Sequence, residues 1–376
     1  MVLPEPTPFR TLLLDRVADR PELDLTVVYA ARTVARRTWT IEPHHKAVFL
    51  DGISVPGAYR MLLHDYPLTR GVWRELSKAQ PAVVVVSGWS TFASQAAFAW
   101  CVTRRVPYLL FVESHDLLRR ATWRRLIRRA VVPPFFRHAA GVLAVGALSR
   151  ASVLAYGVDP ERVHLFANTV DVESWGERAD MLAAQRPELR RRLGIDDDDD
   201  VVVLSVARLV AEKRPDALLR AVAAAGDPRL VLVLVGEGPE RGPLERLARS
   251  LDVRLVLPGD LPWDEVVEVY VAADVFSLLS ARETWGVVVN EALACGLPLV
   301  LSDRVGAAAD LLRDGENGVL VPDGDVAAAA QALRRLAEDR GARVRAGVQS
   351  RELARGWGYG PSIESFVGAV LDIARS

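Results

Sequence analysis

Short β-branched apolar runs alternate with amphipathic stretches of helical period along most of the chain. In the first half the runs are LTVVY (25–29), AVFL (47–50), AVVVV (82–86), YLLFV (108–112) and GVLAV (141–145). In the second half they are VVVLSV (201–206), LVLVLV (230–235), VRLVL (253–257), VFSLL (275–279) and LPLVL (297–301). Runs that are apolar at nearly every position, rather than at alternate ones, predict strands buried on both faces, as in parallel sheets with helical crossovers. The pattern therefore predicts an α/β protein built from two doubly wound halves.

Three segments interrupt the alternation. At the N-terminus only VLP precedes PTPFR and the helical pattern RTLLLDRVADR, so the first strand is expected to be very short. Its loop carries Pro4, Pro6 and Pro8 where glycine would let the backbone approach a ligand. Between the halves, MLAAQRPELRRRLGIDDDDD is a helix-like stretch ending in five aspartates, 196 to 200. Consecutive residues on a loop point in divergent directions, so this run is read as a solvated linker rather than a metal site. Near the C-terminus a Gly and Pro break precedes a last helical stretch. The expected division is a domain over 1–170, a linker over 171–200, a domain over 201–355, and a final helix over 356–376 that crosses back to the first domain.

Composition narrows the function classes. The 376 residues include 47 Lys plus Arg against 48 Asp plus Glu, a net charge of −1, so no global field favours nucleic acid or an anionic membrane. The length excludes a single small binding module. Lysine occurs only as Lys46, Lys78 and Lys213, so each of the three calls for a reason. Cys101 and Cys295 lie far apart in apolar segments and do not resemble a disulfide framework. The N-terminus lacks the basic and apolar regions of a secretory signal, and no apolar run approaches the 18 or so residues of a membrane span. A cytoplasmic protein is expected, with docking on the inner face of a membrane as an extension of that reading.

The densest chemical signal is SARETWGVVVNEALACGLPLVLSD, residues 280–303. After the strand VFSLL it turns through Ala281 to Gly286 and shows a helical pattern from about Val287 to Cys295. Backbone N–H groups at such an entrance are suited to a phosphate. Glu283 and Glu291 are eight residues apart, roughly 12 Å along a helix axis. One carboxylate can thus reach a sugar beside the phosphates while the other reaches a ribose, each accepting from vicinal hydroxyls. A second signal, VARLVAEKRPDALLRA (206–221), places Arg208 and Lys213 on the loop after a strand, at the carboxyl edge where ligands of open α/β domains bind. A third, VGEGPERGPLE (235–245), is a strand followed by a glycine-rich turn that a structural role explains well.

Arg208, Lys213, the GEGP of Gly236 to Pro239, Pro258 and Gly259, Ser280 and above all ETWGVVVNE together resemble the donor half of the family 4 retaining glycosyltransferases. The resemblance runs through residues 200–320. It implies the GT-B fold, two facing Rossmann-like domains with a cleft between them. It also implies that Glu283 lies against the transferred sugar, that Glu291 binds the nucleotide ribose, and that Arg208 and Lys213 clamp the diphosphate. Gly236 and the backbone of Thr284, Trp285 and Gly286 complete the nucleotide site, and the loop Pro258 to Leu261 borders the base. Trp285 stands where a phenylalanine is usual in that family.

The first half is similar to the family's acceptor domain, more loosely. FVESHDLL (111–118) ends a strand and presents His115, which the resemblance assigns to the donor sugar, flanked by Glu113 and Asp116. Asn168 in FANTVDVESW matches the family pattern at the domain junction. The proline-rich loop PEPTPFR lacks the family's glycine pair, which leaves contacts through Thr7 or Arg10 open. Residues 119–130, RRATWRRLIRRA, form a basic amphipathic pattern that suits either a solvated face or contact with anionic lipid or a lipid-linked acceptor.

The expected activity is hexose transfer from a nucleoside diphosphate sugar to an acceptor hydroxyl with retention, needing no cofactor and no metal. The alternatives are a sugar-nucleotide epimerase on the same fold and a non-catalytic nucleotide-sugar binding subunit.

Overall fold

The computed structural model describes residues 1–33, 41–53, 66–115, 131–263 and 265–375. It divides the chain into two compact units, Met1–Thr169 with Tyr359–Ser376, and Val170–Gly358.

The first unit is built on a parallel sheet of β1 (Val2–Leu3), β2 (Thr26–Tyr29), β3 (Lys46–Phe49), β6 (Val84–Ser87), β7 (Tyr108–Val112), β8 (Gly141–Ala144) and β9 (Val163–Leu165). Their order is β3-β2-β1-β6-β7-β8-β9. A separate antiparallel pair, β4 (Gly52–Ile53) with β5 (Leu68–Thr69), lies outside this sheet. The first strand is only two residues long, as its sequence predicts, because the prolines that follow cannot extend the hydrogen-bond ladder. On one side of the sheet Val86, Leu110 and Val142 pack with Ala97, Trp100 and Phe136. The helix Tyr359–Arg375 belongs to this unit, where Phe366 packs against Phe166 with ring centroids 4.7 Å apart and Glu364 pairs with Arg20.

The second unit carries β10 (Val201–Val206), β11 (Leu230–Val235), β12 (Arg254–Gly259), β13 (Val275–Leu278), β14 (Leu299–Ser302) and β15 (Gly318–Val321). All are parallel, in the order β12-β11-β10-β13-β14-β15. Each of the six residues of β11 is buried, which accounts for a run with no polar alternation. The order reverses between β10 and β13, so the two chain crossovers leave in opposite directions and open a crevice at the carboxyl ends of those strands. Short strands β9 and β15 are additions to the strands expected from the hydrophobic pattern.

The stretch expected to be a linker is instead folded into the second unit. The helices Val172–Leu182 and Arg186–Arg192 pack on the helix Val266–Ala272. Arg186 and Arg190 pair with opposite oxygens of Asp274 at 2.7 and 2.5 Å, and Asp274 also accepts from Val202 N–H at 2.8 Å. Asp196 to Asp199 are exposed, but Asp200 is buried and both its oxygens meet Arg254, one at 2.7 Å. The last residue of the acidic run is therefore an anchor for β12, because the start of β10 draws it inward. Among the described residues no helix is long and apolar enough to cross a membrane. The basic amphipathic pattern of 119–130 and Asp116 lie outside the described residues.

Replacing Asp200 with Ala removes a carboxylate that is almost fully buried and is expected to cost about 1–3 kcal/mol. Chemical unfolding followed by circular dichroism checks this, with Asp198→Ala as an exposed control that shifts nothing.

Candidate functional site

Two loops flank the reversal point of the second sheet. The loop after β10 runs through Arg208 into a single 3₁₀ turn, Ala211–Lys213, and Arg214 adopts a left-handed conformation at φ 50° before the helix Pro215–Ala225. The loop after β13 runs from Leu279 to Val287, ahead of the helix Val288–Ala294. A hydrogen bond from Ala281 N–H to Glu212 O at 2.9 Å ties the loops together. Across them, Lys213 Nζ donates to Glu283 Oε2 in a close ion pair. Both side chains are less than a fifth exposed, so the pair sits in a partly dry setting where charge interacts more strongly than in bulk water. Arg208 is exposed, and with Lys213 it borders a small pocket that also includes Ser205, Ala207, Pro215 and Leu279.

The Glu283 loop is held from behind by the segment after β14. Glu283 N–H donates to Arg304 O at 3.2 Å, Gly306 N–H to Glu283 O at 3.1 Å, and Ala307 N–H to Trp285 O at 2.9 Å. A Cβ on Gly306 would lie 2.0 Å from Thr284 O, so only glycine allows this approach. The indole of Trp285 is buried, donates to Asn290 Oδ1 at 3.0 Å and packs against Trp357 at 5.5 Å. Its side chain thus serves packing and leaves the loop backbone at the sheet edge. The N–H groups of Thr284, Trp285 and Gly286 meet no backbone carbonyl of the described loops.

The glycine-rich turn after β11 braces the Arg208 loop. Leu209 N–H donates to Glu237 O at 2.9 Å and Glu240 N–H to Leu209 O at 3.1 Å. Gly236 has φ +130° and a Cβ there would lie 2.1 Å from Ala207 O. The structure gives Gly236 a bracing role that explains its glycine without a ligand.

Glu291 lies within the helix Val288–Ala294, buried, its Oε2 accepting from Tyr270 O–H at 2.7 Å. Burial pushes its carboxyl up to about 7, against the lowering effect of the Tyr270 hydrogen bond. Tyr270 escapes a reading of the sequence because an aromatic residue in an amphipathic helix looks like ordinary core.

His115 belongs to the first unit, buried in the segment after β7. Its neighbour Glu113 accepts from Arg10 at 2.6 Å and from Asn168 Nδ2 at 2.7 Å, and Arg10 also donates to Asn168 Oδ1 at 2.5 Å. Burial alone would raise the Glu113 carboxyl, but the Arg10 charge and the two hydrogen bonds outweigh it and hold it below the usual carboxylate range. Arg10 is buried over the Phe111 ring, 4.9 Å from its centroid. Asn168 is therefore a member of a partly buried cluster that joins three segments of the first unit. The predicted residues thus fall into two groups: Arg208, Lys213, Gly236, Glu283 to Gly286 and Glu291 in the second unit, and His115 in the first. Among the described residues no group of three or more His, Cys, Asp or Glu side chains is placed to hold a metal.

The chain aligns along nearly its full length with solved structures. Anabaena Alr3699/HepE in complex with UDP aligns with a TM-score of 0.75 at 19% identity, over 99% of each chain. WaaG, a glycosyltransferase involved in lipopolysaccharide biosynthesis, aligns with a TM-score of 0.72 at 17% identity, over 98% of this chain and 99% of that one. These define the GT-B fold. Residues 185–353 match the model of the glycosyl transferases group 1, and residues 23–174 match that of Glycosyltransferase Family 4. The chain belongs to the family 4 glycosyltransferases. It is 35% identical to the D-inositol 3-phosphate glycosyltransferase of Thermomonospora curvata over 224 residues, 56% of this chain and 52% of that protein. It is 28% identical to sulfoquinovosyl transferase SQD2 of Arabidopsis thaliana over 302 residues, 78% of this chain and 57% of that protein. The aligned region spans a little over half the length of these curated relatives.

Gly236→Ala is expected to destabilise the second unit by about 3 kcal/mol, lowering its unfolding midpoint by roughly 6–12 °C, since the substitution combines a backbone clash with a strained φ. Differential scanning calorimetry checks this, with Gly242→Ala, a helical glycine whose nearest neighbour is the flexible end of Arg246, as control.

Proposed function

We propose that the protein transfers a hexose from a nucleoside diphosphate sugar to an acceptor hydroxyl, with retention at the anomeric carbon. The observation that carries this reading is the Lys213–Glu283 ion pair at the reversal point of the second sheet. It sets a cation suited to a diphosphate against a carboxylate suited to sugar hydroxyls, beside the backbone N–H groups of Thr284 to Gly286. Support comes also from the names of the relatives and from neighbours solved with UDP and with UDP-glucose.

In this mechanism Arg208, Lys213 and the N–H groups of Thr284 to Gly286 bind the diphosphate. Glu283 orients the hexose, Glu291 accepts from the ribose hydroxyls, and His115 takes the sugar-contacting role that the family resemblance implies. The bond between the anomeric carbon and the diphosphate oxygen breaks as the acceptor oxygen bonds the same carbon on the same face. The acceptor proton passes to the departing diphosphate oxygen, so the leaving group does the work of a base. Charge developing on that oxygen is met by Arg208 and Lys213, and the proposal therefore includes independence from a divalent metal. The basic one-faced pattern of 119–130 supports an acceptor met at an anionic lipid surface on the cytoplasmic side.

Lys213→Ala and Glu283→Ala are expected to keep the far-UV circular dichroism of the parent and to lose transfer by roughly a hundredfold in kcat/KM, the effect of removing one charge contact in the transition state. EDTA is expected to leave the parent's rate unchanged. Near-normal turnover in both variants would overturn the assignment; a rate abolished by EDTA and restored by a divalent cation would overturn the metal-free mechanism.

A further inference from the structure

Glu291 is the site carboxylate that the fold buries most deeply, and its geometry assigns work to a residue outside the loops. Tyr270 lies on the helix Val266–Ala272 with no exposed surface, packed edge-on against Trp175 at 5.6 Å and stacked near Phe276 at 5.9 Å. These two rings therefore hold its own, and its hydroxyl has little freedom. That hydroxyl lies 2.7 Å from Glu291 Oε2 and 3.3 Å from Val288 O. A phenol has one proton, and the shorter, charge-assisted contact takes it. Tyr270 thereby takes up Oε2, which leaves Oε1 as the oxygen outside this hydrogen bond.

We infer that Tyr270 is a positioning residue for the donor: its O–H occupies Glu291 Oε2 and so turns Oε1 toward the ribose hydroxyls. The inference rests on the ribose-binding role proposed for Glu291 and goes beyond it. A carboxylate fixed at one oxygen loses less rotational freedom on binding a diol than one that turns freely. The hydrogen bond also favours the ionised carboxylate, which has no proton to keep from the ribose and accepts from both hydroxyls.

Burial and the Tyr270 hydrogen bond set the ionisation of Glu291, and the other titratable groups nearby lie one step further out. Tyr270 faces it from the helix Val266–Ala272 and Cys295 follows its own helix. Arg178 and Asp180 stand on the helix Val172–Leu182 and Arg351 on the helix Arg340–Arg355; they act at Cys295, and Arg351 pairs with Asp180 at 2.7 Å. Burial raises Glu291 to about 7 and the Tyr270 bond opposes that rise. Ribose binding accordingly weakens as the pH falls below about 7, and loss of the Tyr270 bond moves this acid limb to higher pH.

The test is calorimetric titration of the full chain with UDP and with 2′,3′-dideoxy-UDP across pH 5.5 to 8.5, for the parent and Tyr270→Phe. The phenylalanine keeps the ring packing. UDP affinity at pH 7 is expected to fall roughly five- to tenfold, dideoxy-UDP affinity to change less than twofold, and the acid limb for UDP to move up. A second, near-isosteric probe is 3,5-difluorotyrosine at position 270, a stronger donor, which is expected to move the limb down. Unchanged UDP preference and an unmoved limb in folded Tyr270→Phe, or an unmoved limb with difluorotyrosine, overturn the inference. A parent that binds UDP and dideoxy-UDP equally overturns the ribose role of Glu291 instead, and with it the inference.

Discussion

The reversal of strand order between β10 and β13 is the constraint on which the second unit's chemistry depends. Crossovers that leave the two central strands in opposite directions cannot cover the crevice between their carboxyl ends, so the loops there are free to carry polar groups. Arg208 and Lys213 arrive on one loop and Glu283 to Gly286 on the other. The Ala281 to Glu212 backbone bond and the Lys213–Glu283 pair then join the loops. Charges brought together this way need no long side-chain excursion, and the backbone groups beside them are already oriented.

Around that crevice the fold spends its glycines and buried polar groups on holding loops in place. Gly236 permits the turn after β11 to press on Ala207, and Gly306 permits the segment after β14 to press on Thr284. The Trp285 indole faces inward, so a bulkier aromatic than the family's usual phenylalanine is absorbed by packing against Trp357. In the first unit the Arg10, Glu113 and Asn168 cluster does similar work, tying the first helix to the segments after β7 and β9. Arg10 is thereby committed to neutralising Glu113 inside the unit.

The strands were legible in the sequence because parallel strands buried on both faces leave unbroken apolar runs. YLLFV, VVVLSV and LVLVLV match β7, β10 and β11 residue for residue. The spacing of Glu283 and Glu291 and the scarcity of lysine pointed to residues that the structure places at the sheet's reversal point, as the Lys213–Glu283 pair, and in the helix that follows. What sequence patterning does not carry is the partner of a buried group. The stretch 171–200 is rich in charge and looks like a solvated linker, yet Arg186, Arg190 and Asp200 find partners 54 to 88 residues away and fold it into the second unit. The same limit hid Tyr270, whose hydroxyl is distinguished only by the carboxylate 21 residues on that the fold brings to it.

In the proposed mechanism Lys213 acts on the diphosphate. This is tested most directly by comparing the affinities of UDP and UMP for the parent and for Lys213→Ala by calorimetry at fixed ionic strength. The parent is expected to prefer UDP strongly, and this preference to collapse in Lys213→Ala with UMP affinity little changed. A preference for UDP that survives intact in the folded variant would contradict it.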